Sequence, residues 1–112
     1  MAGTIKRLAG PAAIANAAAD IYNQGSALLY TVIRHIMIVN KTAASHTFSL
    51  YLGATGGSAA GTEVVGTAKV VAANDAFHWY GALRMSNTDF LSGLADAAAS
   101  LTITIEGDLN AV

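Results

Sequence analysis

The chain has 112 residues, with six Lys and Arg against seven Asp and Glu for a formal charge of −1, three His and no Cys. That length suits one small domain. The lack of cysteine excludes a disulfide framework, a thiolate metal site and a cysteine nucleophile, and the near-neutral charge gives no basis for wrapping nucleic acid through counterion release. Apolar residues make up 54% and charged residues 12%, about half the usual charged share. The chain therefore has ample material for a core and is not disordered. A freely diffusing small domain normally carries a surface of about 25 to 35% charged residues, so much of this surface is expected to be covered by partners in an assembly.

Residues 1 to 19 read as an N-terminal arm and residues 20 to 112 as the folded domain. The arm carries Lys6 and Arg7, then an apolar stretch broken by Gly10 and Pro11, which makes it a poor secretory signal. A short strand signal lies at 5 to 9. Residues 11 to 22 are open between two readings. Ile14, Ala18 and Ile21 share a helical face and Pro11 suits a first turn, but so short a helix with little to bury is marginal in water, which favours an arm followed by a strand near 18 to 23. Residues 32 to 39 are apolar on both sides except for Arg34 and His35, the pattern of a central strand. The same interruption breaks the most hydrophobic stretch well short of the roughly 20 residues a membrane helix needs.

From 47 to 52, Phe48, Leu50 and Leu52 alternate with Thr47, Ser49 and Tyr51, the period of a strand with one face buried. The glycine-rich segment 53 to 61 is a loop. It lacks the lysine-containing phosphate-binding motif, and no helix follows to hold an anion at its N-terminus. Weaker strands are expected at 64 to 72 and 90 to 95. Between them, on 77 to 85, Phe77, Trp79, Leu83 and Met85 point one way and His78, Tyr80 and Arg84 the other. Near the C-terminus Leu101, Ile103 and Ile105 alternate with Thr102, Thr104 and Glu106, a strand of high β-propensity. About eight short strands at regular spacing predict an all-β fold, an antiparallel β-sandwich of jelly-roll type.

The residues that carry chemistry do not assemble into a motif. His35, His46 and His78 show no metal-ligand spacing. Ser49, His46 and Asp89 could be drawn as a triad, but nothing in their context orders them. Asp96, Glu106 and Asp108 read as a turn residue and strand-end residues without partners, not as a hydrolytic pair. Neither a cofactor nor a metal is expected. The exposed aromatic residues support two readings, because Tyr80 and Tyr51 with His78 and Arg84 could anchor a subunit interface or stack on a sugar. Residues 1 to 50 balance to +3 and residues 51 to 112 to −4, so Ile5, Lys6, Arg7, Leu8 and Pro11 of the arm are expected to dock on a neighbour.

The strings Leu8-Ala9-Gly10-Pro11-Ala12-Ala13, Ile33-Arg34-His35-Ile36 running to Asn40, Thr47-Phe48-Ser49-Leu50-Tyr51-Leu52-Gly53-Ala54 and Trp79-Tyr80-Gly81 resemble, in the same order, small β-sandwich virion proteins of tailed bacteriophages. That family includes head-decoration and tail-associated proteins. The resemblance implies a non-enzymatic structural protein, made in the host cytoplasm and placed on the outer capsid surface. Its partners would be the major capsid protein or other virion proteins and further copies of itself, with a trimer matching local three-fold axes. Neither nucleic acid nor membrane is an expected partner. A tail or head-tail junction position is the alternative, and a carbohydrate-binding module the reading from another class.

Overall fold

The computed structural model describes residues 5 to 111, and among them eight strands and no helix. These are β1 (Ile5–Ala13), β2 (Ala19–Tyr22), β3 (Leu29–Asn40), β4 (His46–Gly53), β5 (Glu63–Val71), β6 (Asp75–Met85), β7 (Phe90–Ala95) and β8 (Leu101–Ala111). One sheet has the order β1-β8-β3-β6 and the other β2-β7-β4-β5. All pairs are antiparallel. The order follows from one long ribbon: β1 pairs β8, β2 pairs β7, β3 pairs β6 and β4 pairs β5, and rolling that ribbon brings β8 against β3 and β7 against β4. This is the jelly roll, the expected fold.

The core lies between the sheets and is built by alternation. Leu101, Ile103 and Ile105 of β8 meet Ile33, Ile36 and Ile38 of β3 on one side, with Phe48 and Leu50 of β4 and Leu91 of β7 on the other, all essentially inaccessible to water. Phe77, Trp79 and Leu83 pack against this cluster from β6, and Met85 of the same strand is fully buried. Asn40 is the notable polar member. Its Nδ2 donates to the Ala44 and Val71 carbonyls and its Oδ1 accepts from the Thr42 N–H and hydroxyl, so the buried amide is fully satisfied while it closes the β3–β4 turn.

The expected arm is part of the sandwich from residue 5 onward. Ile5–Ala13 is the outer strand of the first sheet, in register with β8 from Ile5 against Asp108 to Ala13 against Thr102. The ladder has two irregularities, between Arg7 and Ala9 and between Ala9 and Ala12, and the second spans Pro11, a residue tolerated in a strand only at an edge or a bulge. The helix that competed for residues 11 to 22 does not form. Instead the chain crosses between the sheets at Ile14 and Ala15: the Ile14 N–H donates to Leu101 of the first sheet at 2.9 Å, and the Ala15 carbonyl accepts from Ala95 of the second at 2.8 Å. Ile14 is buried with the core. A boundary between residues 19 and 20 is therefore not a division of the structure. Residues 1 to 4 of the expected arm lie outside the described residues.

Candidate functional site

The first sheet carries an ordered polar cluster on its outer face, and a bulge in β3 creates it. Burial along β3 alternates through Thr31 and Ile33, then changes phase to Ile36, Ile38 and Asn40. The pairing with both β8 and β6 breaks at the same place, between Ile33 and His35. An extra residue in one strand turns the following side chains to the opposite face. Arg34 and His35, neighbours in sequence, consequently both serve the outer face.

Each then finds a carboxylate on the adjacent strand. Arg34 Nε donates to Asp108 Oδ2 at 3.0 Å, and His35 Nδ1 lies 3.0 Å from Glu106 Oε1. The other nitrogen of His35, Nε2, lies 2.9 Å from Nδ1 of His78 on β6. One of those two ring nitrogens donates and the other accepts, so a carboxylate–imidazole–imidazole chain runs across β8, β3 and β6. Tyr80, opposite His35 in the ladder, lies over the His35 ring at 4.5 Å and 7° between planes, and His78 is within 3° of the same plane orientation. Further along the face the Arg84 guanidinium sits 4.1 Å from the centre of the Tyr30 ring, a cation–π contact. Asp108, placed by the sequence at a strand end, is instead inside β8 and buried under this arrangement. Its Oδ1 has no hydrogen-bond partner among the described residues.

Tyr80 is 71% exposed, and its ring is stacked on that of His35. An exposed aromatic already stacked on a neighbour suits contact, because such residues supply large contact area at low cost in side-chain entropy. The cluster joins His78, Tyr80 and Arg84 on one face, as the alternation predicts. Tyr51 is not with them. It stands on β4 of the other sheet, in register with Ser92 of β7 and Glu63 of β5, so Tyr51 and Tyr80 cannot form one sugar platform. Of the arm residues, Ile5, Lys6, Arg7 and Pro11 are exposed along β1, whereas Leu8 packs against the core.

The remaining candidates are committed to separate partners. His46 Nδ1 is 2.9 Å from Asp96 Oδ1, Ser49 Oγ accepts from the Ala68 N–H at 2.9 Å, and Asp89 Oδ2 accepts from the Ser86 N–H at 2.9 Å, so no triad is assembled. No group of three metal-ligating side chains occurs among the described residues, and no cavity opens among them. The glycine-rich loop is pinned. Asp20 of β2 accepts hydrogen bonds from the Thr55 hydroxyl and the Gly56 N–H, and Ser92 Oγ donates to the Gly57 carbonyl at 2.6 Å. The contacts to Thr55 and then to Gly56 hold the Asp20 carboxyl below its ordinary value.

No family model and no curated protein matches the chain. Among solved structures it is similar to one described as "Bacillus endospore appendages form a novel family of disulfide-linked pili", with 17% identity over 97% of this chain and 88% of that chain, at a TM-score of 0.53. It also aligns with PirA (15% identity, 95% of this chain and 83% of that chain, TM-score 0.42) and with a chain from infectious bursal disease virus strain Gx (13% identity, 95% of this chain and 29% of that chain, TM-score 0.46). The likeness to the pilus structure is one of fold. Linkage through disulfides has no chemical basis here, since the chain has no cysteine.

The sequence reading passed over His35, Glu106, Arg34 and Asp108 as contact residues. The signal was the polar pair Arg34-His35 in an apolar strand, with burial-type residues out of phase on its two sides. That combination marks a bulge.

Proposed function

We propose that this chain is a non-enzymatic structural protein of a tailed-phage virion that binds the outer surface of the capsid as a homo-oligomer and reinforces the shell. The observation that carries this reading is a jelly roll in which no cleft opens among the described residues and one outer sheet face presents an aromatic and imidazole cluster. The resemblance of the four sequence strings to tailed-phage virion proteins supports it, and so does the low charge of so small a domain. Each copy makes a modest contact, and joining copies raises avidity by about 10² to 10⁴ without new chemistry. A tail or head-tail junction position would use the same surfaces. The carbohydrate-binding reading loses its two-tyrosine platform, because Tyr51 and Tyr80 lie on different sheets.

The test is binding of the purified full-length chain to capsids assembled without it. Saturable binding that raises the temperature at which the shell opens is expected. Absence of binding to both heads and tails would overturn the proposal.

A further inference from the structure

The Glu106–His35–His78 chain on the outer face of the first sheet is held by protons, and only some protonation states allow it. Nδ1 of His35 lies 3.0 Å from Glu106 Oε1, and its Nε2 lies 2.9 Å from Nδ1 of His78. The two imidazole planes differ by 3° with centroids 5.2 Å apart, so the rings meet edge to edge. A carboxylate can only accept, which puts the His35 proton on Nδ1. In the neutral imidazole Nε2 is then the bare nitrogen, and it accepts from the N–H at Nδ1 of His78.

One added proton is accommodated. It enters at Nε2 of His78, which takes no part in the bond between the rings, and that bond becomes charge-assisted and stronger. A second added proton is not accommodated. The bare nitrogen that remains is His35 Nε2, and its protonation sets two N–H groups against each other across 2.9 Å with no acceptor between them. Glu106 of β8 is the carboxylate that faces the pair, and the same face already carries cations. Arg7 of β1 stands opposite Glu106 in the ladder, Arg34 of β3 pairs with Asp108 of β8, and Arg84 of β6 lies over Tyr30.

We infer that the His35–His78 pair is a proton-operated latch on this face, closed while it carries at most one added proton and opened by the second. His78 is the part that leaves. The His35 side chain is only 19% exposed, keeps Glu106 on its other nitrogen and has the Tyr80 ring stacked over it at 4.5 Å. His78 is exposed on β6, the outer strand of the sheet. Protonation of His35 does not undo the Tyr80 stack, because a cation over an aromatic face is attracted to it. Acidification therefore strips His78 from the row and leaves Glu106, His35 and Tyr80 together, so that the face offers a partner one shape and charge at neutral pH and another in acid. The latch is internal to one chain and stands apart from the virion role.

The test is side-chain nitrogen NMR on the full-length chain, titrated downward from about pH 8, above the ordinary imidazole value of about 6.5, until both rings carry two protons, with circular dichroism to verify the sheet throughout. At the start, His35 Nε2 should be unprotonated and show a scalar coupling through the hydrogen bond to the protonated Nδ1 of His78. At the end that coupling and the His35–His78 contacts should be lost, while the His35–Tyr80 contacts persist. In His78→Ala the His35–Tyr80 contacts should be the same at both ends of the titration. In Glu106→Gln, which removes the charge that holds His35, they should be lost in acid. Absence of the coupling at about pH 8 would overturn the inference. So would a His78 ring that stays against His35 when both are doubly protonated, or a Tyr80 ring that leaves together with His78. Capsid binding is a separate readout, so failure here leaves the virion reading standing and failure there leaves the latch standing.

Discussion

At the scale of single residues, Trp79 and Tyr80 make the sharpest contrast, because adjacent positions on one strand have opposite duties. Trp79 packs against the core while the Cβ that Gly81 lacks would fall 2.7 Å from its ring, so the indole is seated between core and backbone. Trp79 is only partly buried, and Trp79→Ala should cost about 2 to 3 kcal/mol, below the about 3 to 5 kcal/mol of a fully buried aromatic, and lower the melting temperature by roughly 10 °C. Tyr80→Ala should leave the melt within about 2 °C and weaken whatever contact the outer face makes. Thermal denaturation of both variants checks this, and equal losses would contradict the assignment. Asp20 gives a prediction in pH. Its carboxyl is held below its ordinary value by Thr55 and Gly56, so the tether is fully formed above about pH 4 and is lost only as pH falls through the lowered value. The Gly56 amide resonance should shift with a midpoint below 3.8; a midpoint at or above that value would mean that the carboxylate does not hold the loop.

At the scale of elements, the strands whose buried face alternates with a polar one were legible. Phe48 and Leu50 on β4, and Leu101, Ile103 and Ile105 on β8, are buried as the period of two requires. Two elements were read less well, for identifiable reasons. Alternation is useless on β1, which is exposed at both ends, twice bulged and interrupted by Pro11, so its place in the sheet depends on β8, a partner almost 100 residues away in the chain. The outer cluster depends on the β3 bulge, whose effect on His35 is visible only once Glu106 and His78 are known to be its neighbours. The individual residues His78, Tyr80 and Arg84 could be assigned to one face from local parity, but Tyr51 could not be separated from them without the strand order.

The status of β1 as sheet rather than arm makes its own prediction. A Cβ on Gly10 would fall 2.1 Å from the Ile103 carbonyl oxygen, and the residue has φ +80°, so Gly10→Ala cannot be accommodated without moving β1 off β8. The variant should lose at least about 2 kcal/mol and expose β8 amides to exchange, and removal of the strand together with Ile14 should abolish cooperative unfolding. A truncated chain that lacks residues 1 to 14 and melts as sharply as the intact one would show that the strand contributes nothing to the fold.

At the scale of the whole molecule, the sandwich measures 43 × 27 × 19 Å, a flat block with two broad sheet faces. Charged residues make up only 12% of the chain, and the net charge of −1 sets little mutual repulsion between copies. Exposed Ile5, Lys6 and Arg7 lie on the β1 edge, and the His35–His78–Tyr80 cluster lies on the outer face of the same sheet. In the proposed virion role, one of these surfaces would meet the shell and another further copies of the chain.

The most direct measurement of that role is a reconstruction of virions purified from the host that carries this gene, combined with the copy number of the chain by quantitative mass spectrometry of the same particles. The account predicts the chain in fixed proportion to the major capsid protein, with jelly-roll density of this flat shape repeated over the outer surface of the head. Purified virions that contain no copies of the chain would contradict it.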